Sequence, residues 1–367
     1  MDELLYKIAL TQLPMVGDIN AKKLIAYCGS CKAIFTNKKT QLMKVPGIGE
    51  SIADAIISNF TVALKRAEEE LLFIEKHKIE PIYFLNANYP NRLKHCLDSP
   101  VMLYHKGNTN FGNQKFIAVV GTRNATENGK RITEKFIADL SVYNPVIVSG
   151  LAYGIDICAH KAALKNNLQT VGVLAHGLDN LYPAQHKETA KQIIECGGLL
   201  TDYVSKTNPD RENFPSRNRI VAGMVDAVIV IEASSKGGAL ITADIANNYS
   251  RDVFAVPGRI DDIYSQGCNK LIKQNKAALI ESAEDIAYIC GWQQTKKQTK
   301  KQQQLFVELT TEEQIVVDIL KEKIQLSIDN LSIETNFTMG KLSGILLNLE
   351  FKNTVKSMPG KVYSLAN

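Results

Sequence analysis

The sequence predicts an α/β fold: a mostly parallel sheet covered by helices on both faces, with a helical unit before it and a small helical unit after it. Three observations support this. Short apolar runs rich in β-branched residues alternate with stretches of helical period between residues 116 and 280. Helical patterning dominates the first 76 residues, and three helical stretches followed by a hairpin pattern close the chain. Uniformly apolar strands that alternate with helices are typical of a buried parallel sheet.

Length and composition limit the class of protein. A chain of 367 residues with 45% hydrophobic content is expected to hold two or three globular domains. The formal net charge of +5 is mildly basic and compatible with a nucleic-acid partner. The seven cysteines are odd in number and scattered, which favours a reducing compartment. We see no signal peptide and no apolar run of about 18 residues, so we expect a cytoplasmic protein that does not contact membranes.

Two segments of the amino-terminal region, residues 13–25 and 45–57, look like copies of one unit. Each places a proline and then a glycine before a helix, and the pair resembles a tandem helix-hairpin-helix (SAM-like) module. Gly47 and Gly49 of the second copy are expected to form a secondary phosphate-binding site through backbone N–H groups at a helix start. Met15 stands at the leading glycine position of the first copy, and this copy is interpreted as a packing partner. The alternative, that neither hairpin binds a ligand, stays open.

The central region alternates strands and helices and predicts a Rossmann-like sheet. Strands are predicted at residues 116–121, 146–149, 170–174, 198–201, 227–231, 253–256 and 277–280. Helices are predicted at residues 127–140, 155–166, 185–196, 219–224, 239–248 and 270–274. The domain boundaries we expect are 1–70 for the helical domain, 71–112 for a connector packed on the core, 113–292 for the Rossmann-like domain, 293–304 for a flexible linker and 305–367 for the last domain.

Glycines and basic residues follow the predicted strands. Gly121 and Gly150 end the first two strands, and the basic residues Arg123, Arg217, Arg219 and Lys236 are all predicted in turns at strand ends. Because the carboxyl ends of parallel strands share one edge, we expect these cations to converge there. Arginine forks and glycine-turn N–H groups match phosphate oxygens, so the predicted ligand is a phosphate.

The usual cofactor and catalytic patterns are missing. The first strand lacks a following Gly-x-Gly-x-x-Gly, and there is no Gly-Lys-Ser/Thr loop, which disfavours NAD and ATP. A triad of Ser149, His160 and Asp156 can be written. However, Asp156 and His160 are four residues apart on one predicted helix, and this placement would compete with their reaching Ser149. Cys28 and Cys31 have no partners at metal-ligand spacing. We therefore predict no cofactor, no metal and no enzymatic activity; the alternative is a nucleotide-processing hydrolase that uses Glu232, the carboxylate best placed at a strand end.

Several motifs together resemble the DNA-processing protein A (DprA/Smf) family. They are residues 120–123 (VGTR), 149–156 (SGLAYGID) with His160, 177–183 (GLDNLYP), 214–223 (FPSRNRIVAG), 240–243 (LITA) and 254–258 (FAVPG). The resemblance implies a protein that binds single-stranded DNA, dimerises through its central domain and loads RecA recombinase during natural transformation. It implies no established catalytic activity.

Carried onto this sequence, the resemblance makes Arg123, Arg217 and Arg219 phosphate contacts. Gly121, Gly150 and Gly154 become backbone donors, and Phe214 becomes a stacking surface. The complete set of residues expected to bind single-stranded DNA is Gly121, Thr122, Arg123, Ser149, Gly150, Gly154, Phe214, Arg217, Asn218, Arg219, Lys236 and Gly237.

The end of the chain resembles a winged helix. Residues 293–304 are polar and basic and predict a flexible linker. Helices are predicted at residues 311–322, 327–333 and 339–348, and a two-stranded wing at residues 355–363. The third helix offers only Lys341 and Ser343 to a DNA groove. A protein-contact role is therefore at least as well supported as duplex binding.

Overall fold

The structure is a computed structural model that describes residues 2–112, 114–292, 309–323, 325–352, 354–358 and 360–365. The chain divides into two compact units, residues 1–295 and 296–367. The predicted linker at residues 293–304 lies outside the described residues. Within them, no helix is both long enough and apolar enough to cross a membrane.

The first unit begins with the expected amino-terminal helices. They are α1 (Asp2–Thr11), α2 (Asp18–Cys28), α3 (Cys31–Thr36), α4 (Lys39–Leu42), α5 (Glu50–Ser58) and α6 (Phe60–His77). Met15 and Gly47, which correspond in the two sequence copies, both have positive φ, 60° and 91°. Met15 is 59% exposed. Met15 occupies the left-handed conformation that glycine adopts more readily.

A large sheet forms the centre of the first unit. Its strands are β1 (Glu80–Tyr83), β2 (Met102–Gly107), β3 (Phe116–Val120), β4 (Val146–Ser149), β5 (Thr170–Val173), β6 (Gly198–Thr201), β7 (Ala227–Val230), β8 (Asp252–Ala255) and β9 (Ala278–Leu279). Within the described residues the strand order is β1-β2-β6-β5-β4-β3-β7-β8-β9. Strands β3 to β9 pair in parallel, whereas β1 with β2 and β2 with β6 pair antiparallel. The prediction of a mostly parallel sheet is confirmed.

Helices cover both faces of this sheet. They are α7 (Asn91–Lys94), α8 (Glu127–Leu140), α9 (Ile155–Lys165), α10 (Lys187–Cys196), α11 (Asn213–Gly223), α12 (Gly238–Asn248), α13 (Gln266–Lys273) and α14 (Ala283–Ile289), with short 3-10 turns at Ser141–Tyr143 and Ala184–His186. Alternate residues of β3 belong to different hydrophobic clusters. Ala118 and Val120 pack with α11, α12 and α13, and Ile117 and Val119 pack with α8, α9 and α14. The alternation explains why the strand is apolar at every position.

Three features differ from the predicted layout. β1 and β2, in the predicted connector, are strands of the large sheet, and α6 runs through the predicted boundary at residue 70. Helix α11 was predicted at residues 219–224 but begins at Asn213. Pro215 lies in its first turn, where a helix needs no N–H donor, so the proline is tolerated. The early start of α11 decides where the arginines of the site point.

The second unit is a compact arrangement of three helices and a small sheet. Its elements are α15 (Thr311–Lys323), β10 (Gln325–Ser327), α16 (Ile328–Thr335), α17 (Met339–Phe351), β11 (Val355–Met358) and β12 (Val362–Leu365). Leu342, Ile345, Leu346 and Leu349 of α17 are buried in its core. The sheet order β10-β12-β11 adds a strand to the predicted two-stranded wing.

Candidate nucleic-acid interface

A cavity of about 530 Å³ opens at the carboxyl ends of the central strands. The strand order reverses at β3, which lies between β4 and β7. A crevice at such a reversal is the usual ligand site of open parallel sheets. The cavity is lined by residues from the loops after β3 and β4, from α11 and from the start of α12: Val120, Gly121, Thr122, Arg123, Gly150, Ala152, Asp156, Tyr182, Pro209, Arg211, Phe214, Pro215, Arg217, Asn218, Val221, Gly237, Gly238, Ala239, Ile241 and Thr242.

Arg123 and Phe214 form the outer wall of this cavity. The guanidinium of Arg123 lies 5.2 Å from the centre of the Phe214 ring, and the ring of Tyr182 lies 6.0 Å from the same ring at a steep angle. Arg123 is exposed and makes no salt bridge within the described part of the chain. An unpaired cation beside an aromatic face suits a nucleotide, because the cation attracts the phosphate and the ring stacks on the base.

Arg217 lies deeper in the cavity and is 4% exposed. Its Nη1 donates to the carbonyl oxygen of Gly150 at 2.8 Å and to that of Val173, and its Nε donates to Asn218 Oδ1 at 3.2 Å. Burial lowers the pKa of Arg217, and the nearby charge of Asp156 partly offsets this. Arginine stays charged through such a shift because its ordinary pKa is so high. A buried cation held mainly by carbonyl dipoles therefore favours an anion in the cavity.

Asp156 shapes the loop after β4. Its Oδ2 accepts from the N–H groups of Gly150 at 3.2 Å and Ala152 at 3.4 Å. Burial raises the pKa of this carboxyl group, whereas Arg217 lowers it. The contacts make Asp156 a support for the loop that carries the glycines.

Ser149, His160 and Asp156, whose residue types would suit a catalytic triad, do not form one. The Ser149 hydroxyl donates to the Val119 carbonyl oxygen at 2.6 Å, and His160 Nδ1 lies 2.7 Å from the Thr170 hydroxyl. Burial lowers the pKa of His160 to about 3, so this imidazole is neutral near pH 7. Ser149 is 0% exposed and lies outside the cavity lining, and its contact with DNA stays a prediction.

Arg219 is the main correction to the predicted site. It was expected beside Arg217 but lies outside the cavity lining. Its Nη2 pairs with Asp202 at 2.6 Å and with Asp18 at 3.0 Å, and its Nη1 donates to the Asp98 carbonyl oxygen. Residues two apart on a helix point about 200° from each other, so both arginines of α11 cannot face one cavity. Phe214 and Arg217, three apart, do share a face.

The predicted glycines have packing roles that the sequence did not show. A Cβ at Gly154 would lie 2.1 Å from the Thr122 carbonyl oxygen, and the residue has a φ of 77°. A Cβ at Gly121 would lie 2.5 Å from the Ile155 side chain. These glycines let the loops after β3 and β4 meet, which fixes the turn that carries Arg123. Gly154 and the exposed Lys236 are outside the cavity lining, and their contact with DNA stays a prediction.

Glu232, the carboxylate of the hydrolase alternative, is engaged in the fold. It is 6% exposed, and its two oxygens accept from the Thr126 N–H at 3.0 Å and the Thr126 hydroxyl at 2.5 Å. A Cβ at Gly129 would lie 2.2 Å from its carboxyl carbon, so α8 packs directly on it. Glu232 therefore fixes the start of α8 and is not placed as a free general base.

Sequence reasoning missed several lining residues. Tyr182, Arg211, Gly238, Ile241 and Thr242 line the cavity but were not predicted to do so. The motif at residues 240–243 contained a signal, since it follows glycines at a strand end. Gly47 and Gly49 lie before α5, with Gly49 at the N-cap position. Their phosphate binding stays a prediction.

Comparison with known proteins identifies the family. The model of the DNA recombination-mediator protein A family matches residues 80–290, and that of the DprA winged helix domain matches residues 300–361. The chain belongs to the DNA recombination-mediator protein A (DprA/Smf) family. The predicted family and the predicted winged helix are both confirmed.

Two relatives and two solved structures illustrate the match. Protein Smf of Synechocystis sp. is 34% identical over 289 residues, covering 77% of this chain and 71% of that protein. DNA processing protein DprA of Streptococcus pneumoniae is 36% identical over 268 residues, covering 70% of this chain and 94% of that protein. An X-ray structure of the S. pneumoniae protein gives a TM-score of 0.66 at 32% identity, covering 79% of this chain and 98% of that one. A solved structure of DNA processing protein A from Helicobacter pylori, which concerns its single-stranded DNA binding mode, gives a TM-score of 0.53 at 28% identity. It covers 59% of this chain and 98% of that one.

Proposed function

We propose that this recombination mediator binds single-stranded DNA in the cavity beside β3 and helps to load RecA onto incoming DNA in natural transformation. The observation that supports this most directly is the grouping of exposed Arg123, the Phe214 ring and buried Arg217 on one cavity wall. The single-stranded DNA binding of the H. pylori relative supports the same ligand. We further propose that the protein acts in the cytoplasm as a homodimer formed by the central domain.

The residues of the cavity explain why single strands would be bound without sequence preference. Arginine side chains contact phosphates, which are identical at every nucleotide, and an aromatic ring stacks on any base. In a duplex the base faces are already stacked, so Phe214 would have no surface to contact. Binding should therefore prefer single strands and weaken steeply with salt, because each phosphate contact releases counterions.

The test is fluorescence anisotropy with labelled oligo-dT and with a duplex of equal length at several salt concentrations. We expect tight, salt-sensitive binding to oligo-dT, weaker binding to the duplex, and loss of affinity in Arg123→Ala. Arg131→Ala is a matched control, since Arg131 is exposed on α8 and contacts only Asn128 among the described residues. Equal binding of both DNA forms, or unchanged affinity in Arg123→Ala, would contradict the proposal.

RecA loading and dimer formation need separate measurements. Light scattering of RecA assembling on an oligonucleotide covered by a single-strand-binding protein should rise faster when this protein is added. Sedimentation velocity of the full chain should show a species of about twice the monomer mass. If single strands bind tightly but RecA assembly is unaffected, only the RecA part of the proposal is lost.

A further inference from the structure

The amino-terminal end of α12 presents unused backbone donors to the cavity. Helix α12 starts at Gly238. Its N-cap residue, Gly237, has no side chain that could accept a hydrogen bond from the first N–H groups of the helix. The Leu240 N–H donates to the Gly237 carbonyl oxygen at 3.1 Å. The N–H groups of Gly238 and Ala239 have no acceptor among the described residues, and both residues line the cavity. Two free donors at the positive end of a helix dipole attract an anion.

Thr242 adds a hydroxyl on the same face of α12. It lies one turn after Gly238, lines the cavity and is only 2% exposed. Threonines inside helices often return their hydroxyl to the carbonyl four residues earlier, as Thr133 does to Gly129 at 2.8 Å. The Thr242 hydroxyl makes no such bond, nor any other within the described part of the chain. The Thr242 hydroxyl oxygen is not among the completely buried atoms that lack a partner, so it opens into the cavity, where it can bond a ligand.

Arg217 supplies a charge for the same place. Its Nε and Nη1 are engaged, but Nη2 donates no hydrogen bond to any described residue. Gly150 leaves room for it, because a Cβ there would lie 2.5 Å from Nη2. Asp156 also lines the cavity, and its Oδ2 already accepts from two backbone N–H groups. Arg217 Nη2 is therefore a free cationic donor, and Asp156 Oδ1, an acceptor, also has no hydrogen-bond partner among the described residues.

We propose that the Gly238 and Ala239 N–H groups, the Thr242 hydroxyl and Arg217 Nη2 form a subsite for one phosphate group. This deepens the proposed function and rests on it where DNA is concerned: the phosphate is a backbone phosphodiester, seated inward while its base lies against Phe214. Free inorganic phosphate has the same chemistry and is the alternative source. Arg217 was predicted from the sequence, whereas the Gly238 and Ala239 N–H groups and the Thr242 hydroxyl were not among the predicted contacts.

Two substitutions at Gly238 distinguish the loss of its N–H donor from a change in the fold. Gly238→Pro removes the N–H, and proline at the first helical position is well tolerated. Gly237 has φ −73° and ψ 149°, which is the conformation favoured before proline. Gly238→Ala is the matched control: it keeps the N–H, and its Cβ would meet no atom within 4 Å. Thr242→Val independently removes the hydroxyl and keeps the shape of the side chain.

The first measurement is the affinity of each full-length variant for labelled oligo-dT at low salt. We expect Gly238→Pro and Thr242→Val each to weaken binding about tenfold, because each loses a hydrogen bond to a charged group. Gly238→Ala should bind like wild type. The slope of log affinity against log salt should stay unchanged in all three, because no charge is removed. Melting temperatures verify folding, and Thr242→Val carries the test if Gly238→Pro does not fold.

The second measurement distinguishes the two sources of phosphate. Potassium phosphate is compared with potassium chloride at equal ionic strength as a competitor of oligo-dT. Stronger competition by phosphate, reduced in Gly238→Pro, supports a subsite that also takes the free ion. Equal competition together with weakened variants supports a subsite for the DNA backbone alone.

Failure of this inference is distinguishable from failure of the proposed function. If wild type binds oligo-dT, Arg123→Ala weakens it, and Gly238→Pro and Thr242→Val match wild type, the subsite is refuted and the function stands. If wild type does not bind oligo-dT, but inorganic phosphate raises its melting temperature and not that of Gly238→Pro, the function is refuted and the subsite stands.

Discussion

Replacing Arg219 by alanine should destabilise the fold without removing a DNA contact. The Arg219 side chain is 14% exposed and pairs with Asp202, 11% exposed, and Asp18, 27% exposed. Asp202 Oδ1 has no hydrogen-bond partner within the described residues, so this ion pair is the main compensation for its charge. Breaking a buried pair by removing one partner costs about 3–5 kcal/mol. For a chain of this size that corresponds to a fall in melting temperature of about 10 °C.

The assay is thermal unfolding followed by circular dichroism, with oligo-dT affinity measured well below the transition. We expect a large fall in melting temperature, affinity within about threefold of wild type and an unchanged salt slope, since no phosphate contact is lost. Arg259→Ala is the control because Arg259 is 85% exposed and, among the residues that the structure describes, pairs only with exposed Asp261; such a pair contributes little. An unchanged melting temperature with a tenfold loss of affinity would refute the placement of Arg219 and restore the prediction from the sequence.

Three further outcomes are expected. Arg123→Ala should reduce the slope of log affinity against log salt by about 0.7, the value for one phosphate of a single strand; an unchanged slope would exclude a phosphate contact. Phe214→Ala should cost about 1–3 kcal/mol of oligo-dT binding, the value of one stacked base, with the salt slope unchanged; Phe214→Tyr should restore binding. His160 is held neutral in the fold, with its pKa lowered to about 3, whereas in the unfolded chain its pKa is near 6.5. As pH falls below 6.5, the unfolded chain binds a proton that the folded protein does not, so the free energy of unfolding decreases. Between pH 6.5 and 5 the free energy of unfolding should drop by about 2 kcal/mol, and His160→Gln should remove that part of the pH dependence in denaturant titrations.

The large features of the fold were predictable because they depend on local patterns. A strand buried on both faces is apolar at every position, so β3, β4 and β7 stood out from the helices between them. Parallel strands place their carboxyl ends at one edge whatever their order. For that reason Gly121 and Arg123 could be assigned to the ligand edge before the strand order was known.

The start of α11 was predicted too late in the sequence. With a helix only from residue 219, Arg217 and Arg219 were expected in a turn at a strand end, which would have allowed both to face the same edge. Because the helix starts at Asn213, Arg217 enters the cavity and Arg219 turns to the acidic residues Asp18 and Asp202. Those partners lie far apart in the sequence, so no local pattern could show that they meet.

The sequence by itself determined the parallel sheet, the flanking helical units, the family and the edge where phosphate should bind, since each depends on short-range periodicity or on contiguous motifs. Only the tertiary structure decided which polar groups remain free. Ser149 and Glu232 are satisfied by groups of other segments, whereas the Thr242 hydroxyl and the Gly238 N–H have no partners among the described residues. Hydrogen-bond satisfaction depends on contacts between distant segments, and this is why the chemistry of the cavity follows from the fold and not from the motifs.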